Sequence, residues 1–186
     1  PLAPGDARTQ QDATRRRFFL GKVAPEQSHP ESILYFYLTA PRVVTPRWYT
    51  EGSAVFFETW MAGGVGRAQG AYDEMVFRSM VRDDAHFYSN LGLVSEGMKV
   101  DFQVGVNAYL YGTRFFNYIA YQYTPDQVRQ WLGRGADSKR YYASNFEHVF
   151  GLRLEDAWDD WIEFEHEFQQ RNLEAVRQHP LTETDS

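Results

Sequence analysis

Glu51 and Glu58 are the two acidic residues whose types and spacing most suggest chemistry in this 186-residue chain. They stand seven residues apart in the aromatic-rich stretch Pro46–Trp60. Seven residues is close to two turns of an α-helix, so both carboxylates share one helix face, and Trp48 and Val55 make that neighbourhood apolar. An isolated buried carboxylate would take up a proton, so a charged one has to be ion-paired, hydrogen-bonded or bound to a metal. The pattern therefore predicts a partner for at least one of them.

The segment Trp48–Ala54 reads Trp-x-x-Glu-Gly-x-Ala and resembles the second metal-ligand helix of gluzincin zinc peptidases, the peptidase MA-like group. In that group a first helix carries His-Glu-x-x-His, which provides two imidazole ligands and a general base. The resemblance implies that Glu51 is the third Zn²⁺ ligand and that Glu58 orients an imidazole ligand through its other ring nitrogen. Gly52 would let another helix approach closely.

On spacing alone, both glutamates also have simpler interpretations. Glu51 could cap or ion-pair with a neighbouring helix, and Glu58 could be an exposed or arginine-paired carboxylate. The motif favours the metal-ligand interpretation for Glu51 and leaves both interpretations of Glu58 open.

No His-Glu-x-x-His motif occurs among the histidines of the chain, which are His29, His86, His148, His166 and His179. Either the motif lies upstream of Pro1, or the domain has lost its metal. We expect the upstream motif, because the first residues contain neither an initiator methionine nor a signal peptide. Catalytic zinc sites use three protein ligands, so the fragment is expected to be inactive alone.

Two further stretches resemble the same group. Tyr109–Ile119 looks like the Tyr-x-Lys-Gly helix start of gluzincin aminopeptidases, in which the tyrosine hydroxyl stabilises the tetrahedral oxyanion. The resemblance assigns that catalytic role to Tyr109, with Tyr111 in place of the lysine, although Tyr109 could instead be a core tyrosine. Phe150–Trp161 resembles the Phe-Gly-x-x-Leu-x-x-x-Trp ending of bacterial peptidase MA-like domains, including ones followed by a TolB-like propeller.

Together these motifs imply part of a zinc-dependent metallopeptidase domain that hydrolyses peptide bonds in a peptide or protein substrate. The expected neighbours are an upstream segment with His-Glu-x-x-His and a further domain after the C-terminal tail. Because the families resembled are often exported in bacteria, an extracytoplasmic location is favoured. The alternative is a non-catalytic all-α interaction or scaffold domain derived from a peptidase. In the site, we expect Glu51 and the Tyr109 hydroxyl to line one cleft within about 10 Å, beyond direct hydrogen-bond reach.

The composition sets limits that agree with one domain. The net charge of −6 argues against broad nucleic-acid binding, which depends on neutralisation of phosphates by lysine and arginine. The absence of cysteine excludes disulfides, thiolate metal sites and a cysteine nucleophile. The sequence contains no run of about 18 apolar residues, so it predicts no transmembrane helix. Aromatic residues make up 17% of the chain, and core packing is the expected use of most of them.

Helical periodicity and capping signals predict an all-α fold, which the resemblance identifies as the helical C-terminal subdomain of a gluzincin-like catalytic domain. The predicted domain organisation is 1–14 disordered or loop, 15–178 a single partial peptidase MA-like domain, and 179–186 a linker or tail. The predicted helices are about 32–38, 46–61 capped by Thr45, 71–81, a short one within 84–107, 107–123 capped by Asn107, 125–133 capped by Thr124, 139–149 ended by Gly151, and 154–178.

Overall fold

The computed structural model describes residues 45–95, 106–133 and 137–179, and these residues belong to one compact unit that begins at Thr45. Within these ranges the chain is all-α, with seven α-helices and no strand, which confirms the predicted fold class. The helices are α1 Arg47–Met61, α2 Ala71–Arg82, α3 Asn90–Ser95, α4 Val106–Gln122, α5 Pro125–Leu132, α6 Tyr142–Phe150 and α7 Leu154–Arg177, with a 3₁₀ turn at Arg67–Gln69 between α1 and α2.

Parts of the predicted organisation lie outside the described residues. These are the helix at 32–38, the start of the domain at 15, the segment 1–14, and most of the tail 179–186. The single domain over 15–178 therefore stays a prediction. Among the helices that the structure describes, none combines the length and the apolar character needed to cross a membrane.

Most helix ends follow local chemistry. The Thr124 hydroxyl accepts a hydrogen bond from the Gln127 backbone N–H at 3.1 Å, and Pro125 occupies the first turn of α5, as predicted. Helix α6 ends at Gly151, whose φ of +79° is a backbone conformation that glycine adopts without steric cost. Helix α1 stops before Gly63, which also has a positive φ. Short-range signals therefore predict these helix ends well.

Three predicted starts are wrong by one to three residues. The N-cap of α1 is Pro46 and not Thr45, because Pro46 itself has the extended backbone of a capping residue, with ψ of 150°. Asn107 does not cap α4, since helical structure already includes Val106. Helix α6 starts at Tyr142 rather than Lys139, because the Lys139 backbone N–H bonds to a side chain of the helix instead, Asn145 Oδ1 at 2.8 Å.

Aromatic side chains form most of the core. The Trp48 ring packs on the Trp158 ring with centroids 4.8 Å apart, which joins α1 to α7. The N–H group of the buried Trp158 indole is hydrogen-bonded, since Nε1 donates to the backbone carbonyl of Tyr88 at 3.0 Å. The fully buried aromatic residues are Trp48, Trp131, Trp158, Trp161, Tyr111, Phe77, Phe115, Phe116 and Phe146. The described aromatic residues thus serve largely in the core, as expected.

Helices α1 and α4 cross at a contact between two glycines. A Cβ atom built on Gly52 would lie 2.6 Å from the Cα of Gly112, and one built on Gly112 would lie 2.9 Å from the Cα of Gly52. Real Cβ atoms do not approach a backbone so closely, so only glycine fits at either position. This confirms that Gly52 permits the close approach of another helix.

A buried ion pair joins α4 to α7. The Arg114 guanidinium binds the Glu165 carboxylate through two nitrogens, with Nη2 to Oε1 at 2.7 Å and Nε to Oε2 at 3.1 Å. Gln169 Nε2 donates to the same carboxylate at 2.8 Å. Glu165 is only 1% exposed, so these hydrogen bonds replace its hydration. The pair fixes one side of α4, the helix that carries Tyr109.

Candidate functional site

Glu51 on α1 and Tyr109 on α4 lie close enough for the Glu51 carboxylate to raise the pKa of the Tyr109 hydroxyl. That they stand beyond direct hydrogen-bond reach stays a prediction, whereas their proximity has a structural reason. The reason is the helix crossing: Gly52 directly follows Glu51, and Gly112 lies one turn after Tyr109, so the point of closest approach is next to both side chains. The structure brings together the two residues on which the sequence hypothesis depends.

The interaction with Glu51 is the main reason why the pKa of Tyr109 is raised above the usual value for a tyrosine, and partial burial acts in the same direction. The positive charges of Arg47 and Arg67 oppose this rise. A tyrosine with a raised pKa stays protonated at neutral pH. Tyr109 therefore keeps a hydroxyl proton that it can donate, either to Glu51 or to another oxygen atom.

Glu51 also faces an arginine of its own helix. Arg47 Nη2 lies 3.8 Å from Glu51 Oε1, one turn away along α1. Arg47 is 64% exposed and Glu51 is 29% exposed, so water screens this pair. Pairs of this kind contribute about 0.3–0.5 kcal/mol. The arginine orients the carboxylate only weakly, and the Glu51 side chain keeps an accessible oxygen.

Arg67 is a site residue that the sequence did not predict. Its guanidinium lies over the Tyr109 ring, with Cζ 5.3 Å from the ring centroid. Its Nε is 3.3 Å from both carboxylate oxygens of Asp73, a residue that is 2% exposed. In the sequence, Arg67 ends a glycine-rich turn and Asp73 resembles an ordinary acidic residue in the first turn of a helix. No spacing rule connects either residue to Tyr109.

Among the described residues, Glu58 does not contact the group formed by Glu51, Tyr109 and Arg67. Its side chain is exposed, and none of the described residues forms a hydrogen bond or ion pair with its carboxylate. Whether Glu58 orients an imidazole stays a prediction.

Tyr111, which stands where the aminopeptidases have lysine, is a core residue. Its ring is stacked on Trp158, and its hydroxyl accepts a hydrogen bond from the Tyr88 backbone N–H at 3.3 Å.

The donor set of the described residues does not fit the zinc ion that the resemblance implies. Catalytic zinc is held by three protein ligands, usually imidazoles and carboxylates. Nowhere in 45–95, 106–133 and 137–179 do three histidine, cysteine, aspartate or glutamate side chains come together closely enough to hold a metal ion. Around Glu51 the neighbours are a tyrosine hydroxyl and an arginine, and neither belongs to the side chains that usually bind zinc. A zinc site at Glu51 therefore needs ligands beyond the described residues.

Comparisons with protein-family models, with curated proteins and with solved structures found no match to this chain.

Proposed function

We propose that α1 and α4 form the helical half of a gluzincin-like peptidase site, which hydrolyses peptide bonds when a segment with two imidazole ligands completes it. The observation that carries the proposal is the convergence of Glu51 and Tyr109 at the glycine crossing. The sequence motifs assign a ligand and an oxyanion donor to these two positions, and such groups have to stand within a few ångströms of the same reacting carbonyl.

Tyr109 has the properties of an oxyanion donor. Its hydroxyl is protonated at neutral pH, as that of an ordinary tyrosine is, and the Glu51 carboxylate raises its pKa further. In this proposal the neighbouring Glu51 carboxylate orients the hydroxyl before a substrate arrives, so little reorganisation is needed when the donor turns to a substrate oxygen. Partial burial strengthens a hydrogen bond to a developing negative charge. In this proposal Tyr109 stabilises the oxyanion, and Glu51 is a ligand of the completed site.

A second candidate function, a non-catalytic interaction or scaffold domain, is favoured by a specific observation. Glu51 already interacts with the Tyr109 hydroxyl and with Arg47 within the described residues, so its carboxylate has polar neighbours without a metal ion. A domain that had lost its metal would keep these contacts and the aromatic core. Peptide hydrolysis by the natural protein distinguishes the two functions.

We expect Tyr109→Phe to lower kcat for peptide hydrolysis by roughly 10²-fold, with little change in KM, because the variant removes one oxyanion donor that acts in the transition state. The assay uses the protein as its gene encodes it, with fluorescein-labelled casein and internally quenched peptides of random sequence as substrates. A core tyrosine would behave differently: loss of one hydroxyl hydrogen bond would cost about 1 kcal/mol of stability and leave kcat unchanged.

Tyr121→Phe is the matched control, because Tyr121 is on the same helix and its side chain is exposed. It should change neither kcat nor the melting temperature. If Tyr109→Phe lowers the melting temperature but retains normal turnover, Tyr109 is a packing residue. If the unmodified protein hydrolyses none of the peptides, the interaction domain replaces the peptidase as the better interpretation.

A further inference from the structure

Besides Glu51, Tyr109 contacts a guanidinium group, and this guanidinium group in turn binds a buried carboxylate. We propose that Asp73 and Arg67 are positioning residues: buried Asp73 holds the Arg67 guanidinium over the ring of Tyr109, and Arg67 thereby fixes the orientation of that ring and the place of its hydroxyl. The purpose of this arrangement rests on the function proposed above, whereas the contacts are independent of it.

Asp73 is a rigid anchor. It is 2% exposed, and both of its carboxylate oxygens lie 3.3 Å from Arg67 Nε, with Arg67 Nη2 at 3.2 Å from Oδ1. A buried carboxylate with a bidentate arginine partner has little freedom to reorient, since leaving the arginine would strand its charge. The position of Asp73 in the first turn of α2, which packs on α7, connects it to the core.

The turn that carries Arg67 is held from both sides. The Ala68 backbone N–H donates to Thr59 Oγ1 of α1 at 3.1 Å, and the Ala68 carbonyl accepts a hydrogen bond from the Asn117 side chain of α4. Gly66 lies against the same threonine, since a Cβ on Gly66 would stand 2.9 Å from Thr59 Cα. The turn is therefore fixed to the same two helices that carry Glu51 and Tyr109. The backbone of Arg67 cannot move independently of the site.

Arg67 reaches Tyr109 from this fixed position. Its Cζ lies 5.3 Å from the centroid of the ring, a distance at which a guanidinium and an aromatic face attract each other. Arg67 is 40% exposed, so the attraction to Tyr109 alone would be weak and the side chain could sample other rotamers. The buried carboxylate supplies the missing restraint. In this way Asp73 affects Tyr109 without contacting it.

The test measures the environment of the Tyr109 ring in the 186-residue chain, labelled with ¹³C-tyrosine. The ring signal of Tyr109 is identified as the one that is lost in Tyr109→Phe. We expect Arg67→Gln to shift this signal, because the guanidinium leaves the ring face. Asp73→Asn should shift it in the same direction, although Arg67 is unchanged, and Asp73→Asn in the Arg67→Gln background should add no further shift.

Glu74→Gln is the matched control, because it removes a negative charge from the same turn of α2 while its partners are Arg78 and Asn172. It should leave the Tyr109 signal in place. If Asp73→Asn does not fold, Arg67→Lys replaces it: lysine keeps the charge but loses the two-nitrogen contact with Asp73, so the signal should move as in Arg67→Gln. A Tyr109 signal that stays in place in Arg67→Gln, or in whichever anchor variant folds, overturns the inference.

The same experiment separates this inference from the proposed function. A merely structural contact between Asp73 and Arg67 would lower the melting temperature without moving the Tyr109 ring signal. If the signal moves as expected but the natural protein hydrolyses no peptide, the positioning of Tyr109 stands and the peptidase function fails. If hydrolysis depends on Tyr109 but the signal does not move, the function stands and the positioning role fails.

Discussion

Gly112→Ala is expected to destabilise the domain by about 3 kcal/mol, at the upper end of what overpacking costs. The added Cβ would lie 2.9 Å from the Cα of Gly52 and 3.1 Å from the backbone carbon of Trp48. Both neighbours are backbone atoms, so no side-chain rotation can relieve the clash, and α1 and α4 must separate. Urea unfolding, followed by far-UV circular dichroism, measures the loss.

Gly92→Ala is the matched control for this prediction. Gly92 also lies in a helix, α3, but its nearest neighbour is the flexible Ser89 side chain at 3.1 Å. The better helix propensity of alanine should offset that contact, so the stability should change by no more than about 1 kcal/mol in either direction. Equal effects of the two substitutions would mean that the glycine crossing does not set the distance between α1 and α4.

Arg114→Met is expected to cost about 3–5 kcal/mol, because it leaves the Glu165 carboxylate buried without its counter-charge. Methionine replaces the aliphatic part of the arginine, so the loss of packing is small by comparison. The double variant Arg114→Met with Glu165→Met should recover part of the loss, since no charge remains buried. It also removes the acceptor of the buried Gln169 side chain, which costs about 1–3 kcal/mol.

The same urea titration measures both variants. Recovery in the double variant would show that the recovered part of the loss comes from the unpaired charge. If the double variant is as unstable as Arg114→Met alone, the pair stabilises the contact between α4 and α7 through more than charge compensation. The cost of the single change then does not come from the unpaired charge of Glu165.

The sequence predicted features that depend on neighbouring residues. The cap formed by Thr124 and the end of α6 at Gly151 involve groups within one turn, so their chemistry can be read directly from the chain. The predicted helix over 71–81 matches α2 to within one residue, and the predicted helix over 154–178 matches α7 equally well. In both, apolar residues recur at helical spacing and define one buried face.

Partners across the fold could not be predicted in this way. Helical spacing indicates which residues share a face, but not which residue of another helix faces them. The sequence indicated that Gly52 meets another helix, but it could not identify Gly112. The ion pair between Arg114 and Glu165, and the contacts of Arg67 with Asp73 and Tyr109, join residues that only the three-dimensional packing brings together. For Glu51 and Tyr109 the motifs predicted that the two side chains lie near each other, but not that the contact between Gly52 and Gly112 would set their distance.

The zinc content of the natural protein tests the central proposal most directly, because the proposal makes Glu51 one ligand of a completed site. The protein is purified without added metal, dialysed, and analysed by atomic emission. We expect about one zinc ion per chain in the unmodified protein, and a clear loss in Glu51→Gln, since a neutral amide is a much poorer zinc ligand than a carboxylate.

Glu147→Gln, which changes an exposed glutamate of α6, should retain the zinc. Circular dichroism should be the same for all three proteins, because Glu51 contributes little to the core. An unmodified protein that binds no zinc, or a Glu51→Gln variant that still holds one zinc ion per chain, would contradict the account.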